Sequence, residues 1–243
     1  MKKKVFILAV TFLVFVNCLL AFNGVGSCKS VTKTSNGPSS FISSATDYFR
    51  SVSSGNWDNL LTWESSADSI AWSAATLIPE ASAEHVVIQG TDSVFITGNR
   101  TTKNLTILSG AKMNALLFTM TVSSRFNLLG TAFFYQGGIV NAVPGVEQVL
   151  APASTYYYNG TQVGLNASLP EFGNLVFAPS SGSPGTFENN VAAAPFYNGL
   201  VVRGDLTIDL QQPLAQDISF ATGSTVSRTH TIDGDLNIAN NRT

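Results

Sequence analysis

The chain has 243 residues, of which 44% are hydrophobic and 12% are charged, and its formal net charge is −2. This apolar content suffices for a packed core in one domain, and the mildly acidic balance argues against a nucleic-acid-binding surface. The two cysteines, Cys18 and Cys28, cannot form a disulfide in the mature chain, because Cys18 lies in a segment that we expect to be removed.

Residues 1–27 have the pattern of a secretory signal peptide. Three lysines at 2–4 precede an apolar stretch that starts at Val5, and this stretch is too short and wrongly flanked for a stable membrane span. We expect cleavage near Ala21 or near Ser27. Loss of the three lysines would change the net charge from −2 to −5.

Cys28 has two interpretations. The run Val25-Gly26-Ser27-Cys28 resembles the bacterial lipobox, in which an apolar residue and two small residues precede a lipid-bearing cysteine. The alternative is ordinary cleavage, which leaves Cys28 as an unpaired thiol. Either reading predicts an exported protein at the bacterial cell surface or outside the cell, in contact with the membrane only through a lipid on Cys28.

The next two segments differ sharply in composition. Residues 28–46 are polar, rich in Ser and Thr and without periodicity, which predicts a flexible tether. Residues 47–80 contain all three tryptophans of the chain, Trp57, Trp63 and Trp72. These rings either cap the open end of the first coil of a repeated fold or form a stacking platform for sugar rings.

Residues 81–243 read as a succession of short strands. Val86 and Ile88 share one parity, as do Leu105 and Ile107, and this alternation between Gly-, Ser- and Asn-rich turns predicts β-strands. Because no segment of the mature chain shows a capped helical period, the sequence predicts an all-β protein.

An internal repeat predicts how these strands are arranged. The phrases GNLVF, GDLTI and GDLNI occur at 173–177, 204–208 and 234–238, so they recur at a near-constant spacing. Such a spacing is typical of stacked coils that bury the same face. We therefore expect a β-solenoid in which one inward column contains three leucines, Leu175, Leu206 and Leu236.

Stacking of the last two phrases would bring charged residues together on the outer face. Arg203 would lie above Asp233, and Asp205 above Asp235. One interpretation is a surface ladder in which Arg203 neutralises Asp233 and Asp235. The other is a calcium site formed by Asp205, Asp209, Asp233 and Asp235, because calcium prefers several carboxylates at one place.

Few other residues point to chemistry. The two histidines, His85 and His230, are far apart in the sequence and belong to no metal-binding motif. Tyr156, Tyr157 and Tyr158 alternate across one strand, so at most two of them can share its outer face. The sequence therefore predicts no catalytic residue and no cofactor.

The order of the phrases resembles a known family. A GNW…TW segment, a proline before a VVI strand, an NLTI…SGA pair and the GDLTI units, over about residues 48–238, are similar to the N-terminal module of large secreted surface proteins from type IX-secreting bacteria, and distantly to the G8 domain. The resemblance implies a right-handed parallel β-helix, here with an N-terminal aromatic cap, in an adhesin-like or uncharacterised role. Such proteins usually end in a sorting domain. Because this chain stops at Thr243, we expect the solenoid to be truncated at its C-terminus.

These observations predict a non-enzymatic, exported structural or adhesive module whose partners are extracellular glycans or other cell-surface proteins. The alternative is a carbohydrate-active enzyme or glycan-binding module of the pectate lyase-like β-helix type. An enzyme of that type would need a basic residue and calcium-binding carboxylates in one groove, whereas a structural module would not.

Overall fold

The computed structural model describes residues 42–136, 140–142, 147–159, 171–178, 200–209 and 229–239. Almost every ordered element in these ranges is a β-strand, apart from a 3₁₀ turn at Leu60–Thr62, so the expected all-β class is confirmed. The described part of the chain has no helix with the length and apolar character needed to span a membrane.

The N-terminal segments fall largely outside this description. The expected signal peptide, Cys28 and the tether up to residue 41 all lie outside the described residues. The end of the tether is described, and there Ser43 is packed rather than free: its N–H donates to Thr76 Oγ1 at 2.8 Å, and its Oγ lies 2.7 Å from Ser65 Oγ. Ordered contacts thus begin before the expected boundary at residue 47.

The first sheet has eight strands and is mainly parallel. Its strands are β1 (Tyr48–Ser51), β3 (Trp63–Ser66), β4 (Ser73–Ala74), β5 (His85–Ile88), β7 (Arg100–Ile107), β9 (Met120–Leu128), β11 (Val140–Ala142) and β12 (Glu147–Leu150). They are ordered β11-β9-β7-β5-β1-β3-β4, and β12 pairs with the second half of β9. Only the β1–β3 and β3–β4 pairs are antiparallel, so the Trp-rich segment supplies the antiparallel edge.

The second sheet also has eight strands, and all of its pairs are parallel. In both chain order and sheet order, its strands are β2 (Gly55–Asn56), β6 (Ser93–Phe95), β8 (Lys112–Asn114), β10 (Phe133–Gln136), β13 (Thr155–Tyr158), β14 (Asn174–Phe177), β16 (Leu206–Asp209) and β18 (Leu236–Ala239). A third, two-stranded parallel sheet pairs β15 (Val201–Val202) with β17 (Thr231–Ile232).

From β5 to β13 the chain alternates between the two large sheets. In the second sheet Val94 pairs with Met113, Met113 with Phe134 and Phe134 with Tyr156. The first sheet advances along the chain from Val86 through Leu105 and Phe126 to Gln148, and each of these steps has the same number of residues as the corresponding step in the second sheet. Each passage through both sheets therefore adds one strand to each of them, except that the passage after β10 adds two short strands to the first sheet, β11 and β12, which pair with the two halves of β9.

Repeated turns join the first sheet to the second. A backbone N–H donates to the carbonyl three residues earlier in four of these turns: from Asp92 to Gln89, Ala111 to Leu108, Ala132 to Leu129 and Ser154 to Ala151. The first three turns contain Gly90, Gly110 and Gly130, all with positive φ. Glycine is suited to these corners because a Cβ would strain the left-handed backbone.

The core lies between the inner faces of the two large sheets. Phe126 from β9 and Phe134 from β10 make an edge-to-face contact at 5.5 Å between ring centroids, and both are buried. Val86, Ile88, Leu105 and Ile107, which the alternation assigned to one face of their strands, are fully buried in the same cluster. Side chains of the opposite parity point out of the core.

The expected leucine column is correct in register but wrong at one end. Leu175 pairs with Leu206, and Leu206 with Leu236. Leu175 and Leu206 are fully buried, but Leu236 is 52% exposed and Ile238 is 62% exposed. Among the described strands, β18 has a neighbour on one side only, so Leu236 is covered by β16 alone.

Candidate functional site

The outer surface of the second sheet presents four aromatic side chains, Phe95, Phe133, Tyr135 and Tyr157, which we call the aromatic face. They alternate with inward residues; in β13, for example, Tyr156 and Tyr158 are buried while Tyr157 is partly exposed. Of the three consecutive tyrosines, only Tyr157 lies on the outer surface. The same alternation in β10 buries Phe134 and leaves its neighbours Phe133 and Tyr135 outside.

The rings of the aromatic face are held by parallel strand pairing. Tyr135 and Tyr157 are register partners and stack at 4.9 Å between centroids, with 13° between their planes. Phe133 lies 6.0 Å from Tyr157. Asn159 Nδ2 donates to the Tyr135 hydroxyl, which fixes one end of the stack, so these rings would lose little side-chain freedom on binding a ligand.

The Tyr157 hydroxyl stays neutral over the physiological range. Partial burial raises the pKa of Tyr157, and the neighbouring Tyr135 and the carboxylate of Asp209 raise it further. The hydroxyl can therefore both donate and accept a hydrogen bond at neutral pH. The face combines apolar ring surface with neutral polar groups.

A shallow cavity of about 110 Å³ opens on this face. It is lined by Ser93, Val94, Phe95, Lys112, Met113, Asn114, Phe133 and Tyr135. Phe95 is 38% exposed at its edge, and Asn114 Oδ1 accepts from the Leu116 N–H at 2.8 Å, which orients the amide. The cavity is too small to enclose a drug-sized ligand but can seat part of an extended one.

Lys112 provides a positive charge beside the rings, since it is the register partner of Phe133. Six Lys and Arg residues fall within the described ranges, and five of them form ion pairs. Lys112 is exposed, and no described carboxylate lies within salt-bridge distance of it. Its ammonium group is available to an anionic ligand.

Of the two interpretations of the tryptophans, the stacking platform is contradicted for two of its three residues. Trp57 and Trp63 are buried and make an edge contact at 5.0 Å. Their indole N–H groups donate to the carbonyls of Pro79 and Trp57, at 3.0 and 2.8 Å, so both rings are part of the core and cannot stack on a sugar. Trp72 is half-buried, and the Arg50 guanidinium lies 4.4 Å from its ring centroid.

The charged residues of the GDL repeats form a ladder, with one partner different from the expected one. Arg203 donates to Asp233 at 3.1 Å, as expected, but its second acid is Glu171, at 2.8 Å, rather than Asp235. Glu171 hydrogen-bonds to Arg203, which lowers the pKa of Glu171 and raises that of the guanidinium. Sequence reasoning missed Glu171 because it precedes the repeated phrase.

The aspartates proposed for calcium have mostly structural contacts. The Asp205 N–H donates to Asn174 Oδ1, and the Asp235 N–H donates to Asp205 Oδ1, both at 2.9 Å. Asp205 thus joins β16 to β18, and Asp209 lies at the far end of β16. No group of three or more His, Cys, Asp or Glu residues suited to a metal ion is found within the described ranges.

The two histidines are separate from each other and from the aromatic face. His85 Nε2 lies 2.8 Å from Thr106 Oγ1 on the neighbouring strand; desolvation lowers its pKa, as does Arg125, and Glu84 opposes this. The His85 side chain is half-buried. The Leu200 N–H donates to His230 Nδ1 at 3.1 Å, so His230 ties the start of β15 to β17.

The aromatic face itself was not anticipated from the sequence, apart from the tyrosine run. The available signal is that FFYQ at 133–136 and TYYY at 155–158 carry aromatic residues in register, one passage through both sheets apart. Comparison with family models, with curated proteins and with solved structures finds no match for this chain.

Proposed function

We propose that this chain is an exported, surface-associated and non-enzymatic module with a structural or adhesive role, built as a right-handed parallel β-helix. The observation that carries the proposal is the alternation of the chain between two sheets that advance equally at each step. A chain that coils around a common core must advance equally in every sheet it visits. We propose a right-handed coil for two reasons. Crossover connections between parallel strands are strongly biased to the right hand, and the chain resembles surface modules of type IX-secreting bacteria.

The charges support a structural role over a catalytic one. Arg50, Arg100, Lys103, Arg125 and Arg203 are each paired with a carboxylate across neighbouring strands or loops. Catalysis on a polysaccharide needs an acid, base or nucleophile with a tuned pKa near the scissile bond. The lowered pKa of Glu171 and the raised pKa of Arg203 arise from their mutual pairing, which holds both groups in their charged forms.

Export is supported by the N-terminal sequence. The three lysines at 2–4 and the apolar stretch after them give a signal peptide, and the Val25–Cys28 run gives a lipid anchor as one route to the surface. A β-helix with a lipid-anchored or secreted N-terminus would present its sheets to the outside of the cell.

The rival function, a lyase or hydrolase of the pectate lyase-like type, is tested by turnover. The full chain is incubated with pectin, alginate and glycosaminoglycan, with and without added calcium, and product formation is followed by ultraviolet absorbance and reducing ends. We expect no turnover under any condition. Calcium-dependent release of unsaturated products that disappears in Asp205→Ala or Asp235→Ala would establish the enzyme instead.

A further inference from the structure

The aromatic face has features that a purely structural role leaves unexplained. Stacking of Tyr135 on Tyr157 stabilises neighbouring strands, as aromatic pairs do. That role does not require Phe95, which is 38% exposed at the edge of the cavity. It also does not require the exposed Lys112, which lies between its register partners Ser93 and Phe133 on the outer surface of the second sheet.

Charge distinguishes this face from the rest of the described surface. Elsewhere every described Lys or Arg is paired with an acid. Lys112 has no such partner among the described residues. The carboxylate that raises the pKa of Tyr157 is that of Asp209, which lies on β16, two strands beyond the β13 strand of Tyr157. An anion can therefore approach Lys112 from solvent without displacing a resident carboxylate.

We propose that the aromatic face binds an acidic polysaccharide built of uronic acid sugars, which packs against the exposed surface of the stacked Tyr135–Tyr157 pair and places a carboxylate on Lys112. A pyranose ring has an apolar face of C–H groups that packs on the negative face of an aromatic ring. Its carboxylate forms a charge-assisted hydrogen bond with an ammonium group. This site rests on the proposed non-enzymatic function and gives it a ligand class.

The geometry favours an extended chain of sugars over a single one. The rings occupy β6, β10 and β13, so they spread across the strands of the sheet at the usual spacing of about 4.8 Å per strand. The cavity between Phe95 and Tyr135 is open and shallow, and Asn114 and Ser93 add polar groups to its lining. A polymer that runs across the strands meets several rings in succession.

The test is binding of the full chain to polygalacturonate, with neutral galactan and polyglutamate as comparison probes, measured by affinity gel electrophoresis and calorimetry. We expect binding to polygalacturonate, with affinity about tenfold lower in Tyr157→Thr because one stacked ring is lost. Threonine is chosen because Thr207 occupies the same outer row in β16, so the strand is preserved. Tyr157→Phe keeps the ring and is expected to keep most of the affinity.

The lysine is tested by charge removal at matched positions. Lys112→Gln is expected to lower affinity for polygalacturonate several-fold and to leave any binding of neutral galactan unchanged. Lys103→Gln is the control, because Lys103 lies on the first sheet and is paired with Glu84 at 2.6 Å. It is expected to bind as the wild type does.

Several results would overturn the site. These are equal binding of polyglutamate, which indicates charge alone, unchanged affinity in a folded Tyr157→Thr, or no binding of polygalacturonate by the wild type. Retention of a protein partner by the same face without glycan binding would also overturn it. None of these results affects the proposed non-enzymatic function, which fails if any of the tested polysaccharides is cleaved.

Discussion

Single residues at the corners between the sheets set the path of the chain. Gly110 has a φ of +82° and lies beside the preceding corner, where an added Cβ would meet the Gly90 carbonyl oxygen at 3.4 Å. An L-residue in this conformation costs about 1–2 kcal/mol before any clash is counted. The corners therefore depend on glycine for backbone conformation and for close approach of successive turns.

Gly110→Ala is expected to lower the free energy of unfolding by about 1–2 kcal/mol, because alanine is strained at positive φ. The measurement is urea unfolding, with the change read from the midpoint at constant m-value. Gly98→Ala is the matched control: Gly98 does not have positive φ, and its nearest contact would be Arg100 Nη2 at 3.8 Å. Equal losses in the two variants would contradict the role of φ.

We expect His85 to make the free energy of unfolding depend on pH. Its pKa in the folded state lies below the ordinary value, chiefly because of desolvation, so the unfolded chain takes up the proton more readily. The stability associated with neutral His85 is therefore fully present above about pH 6.5 and is lost as the pH falls through the folded pKa.

We expect wild-type stability to fall between pH 7.5 and pH 5.5 more steeply than that of His85→Gln, as measured by urea midpoints at each pH. Carboxylates contribute the same background to both proteins, so the difference in slope reports His85. Identical slopes would show that its protonation does not differ between the folded and unfolded states.

Aromatic residues also mark where sequence reasoning reached its limit. Alternation assigned Val86 and Ile88 to the core correctly, because these larger apolar residues share one parity and the turns around them fix the strand. In β10 and β13 both parities are aromatic, so the pattern cannot decide which rings face outward. Only pairing with the neighbouring strands does so, and it places Tyr157 outside and Tyr156 inside.

At the scale of elements, the repeated leucines show how burial depends on a strand having two neighbours. Leu206 lies between Leu175 and Leu236 and is fully buried. Leu236 has the same parity in the same phrase, yet it is 52% exposed. Leu206 and Leu236 therefore share the same local sequence pattern and differ in how completely neighbouring strands cover them.

Leu206→Asp is expected to lower the free energy of unfolding by more than about 4 kcal/mol, because it removes a buried side chain and leaves a charge without a partner. Leu236→Asp is expected to cost less than about 1 kcal/mol. Both are measured by urea unfolding, or by soluble yield if Leu206→Asp does not fold. A large loss in Leu236→Asp would show that this side chain is covered in solution.

The pairing register of neighbouring strands was predictable in the C-terminal part of the chain but not in the N-terminal part. The GNL and GDL phrases align as expected, with Leu175 on Leu206. Earlier in the chain, Leu105 pairs with Phe126, and Leu128 lies two residues farther along the same strand. Phe126 and Leu128 share one parity and are both buried, so the apolar pattern fits either partner. The register also changes at an irregularity in β7 between Thr102 and Asn104, and a local bulge of this kind cannot be read from the spacing of apolar residues.

For the whole molecule, the all-β class was predictable because short alternating phrases and turn residues recur along the chain. The existence of two large sheets was not, since strands of both sheets share the same apolar alternation. Leu128, for example, lies in the first sheet and Leu175 in the second, so their spacing in sequence does not measure one coil. The spacing of two residues in the sequence measures one coil only when both residues lie in the same sheet.

The proposed export gives a prediction for the whole chain. Intact mass of the protein isolated from its native membrane is expected to show an N-terminus that follows cleavage between residues 21 and 28. A diacylglycerol adduct on Cys28 would support the lipid anchor, and a different start without lipid would remove it. Retention of residues 1–20 would contradict the signal peptide.

The equal advance of both sheets has a consequence for how the protein folds. Strands that pair in the region from β5 to β13 lie close together in sequence, as Val86 and Leu105 do, although parallel sheets in general join distant segments and fold slowly. Each new strand needs only the strands of the preceding passage to pair with. Once one passage has formed, folding can therefore propagate along the chain by addition of neighbouring strands. Unfolding is then expected to proceed from the ends inward, with hydrogen exchange slowest at the central strands.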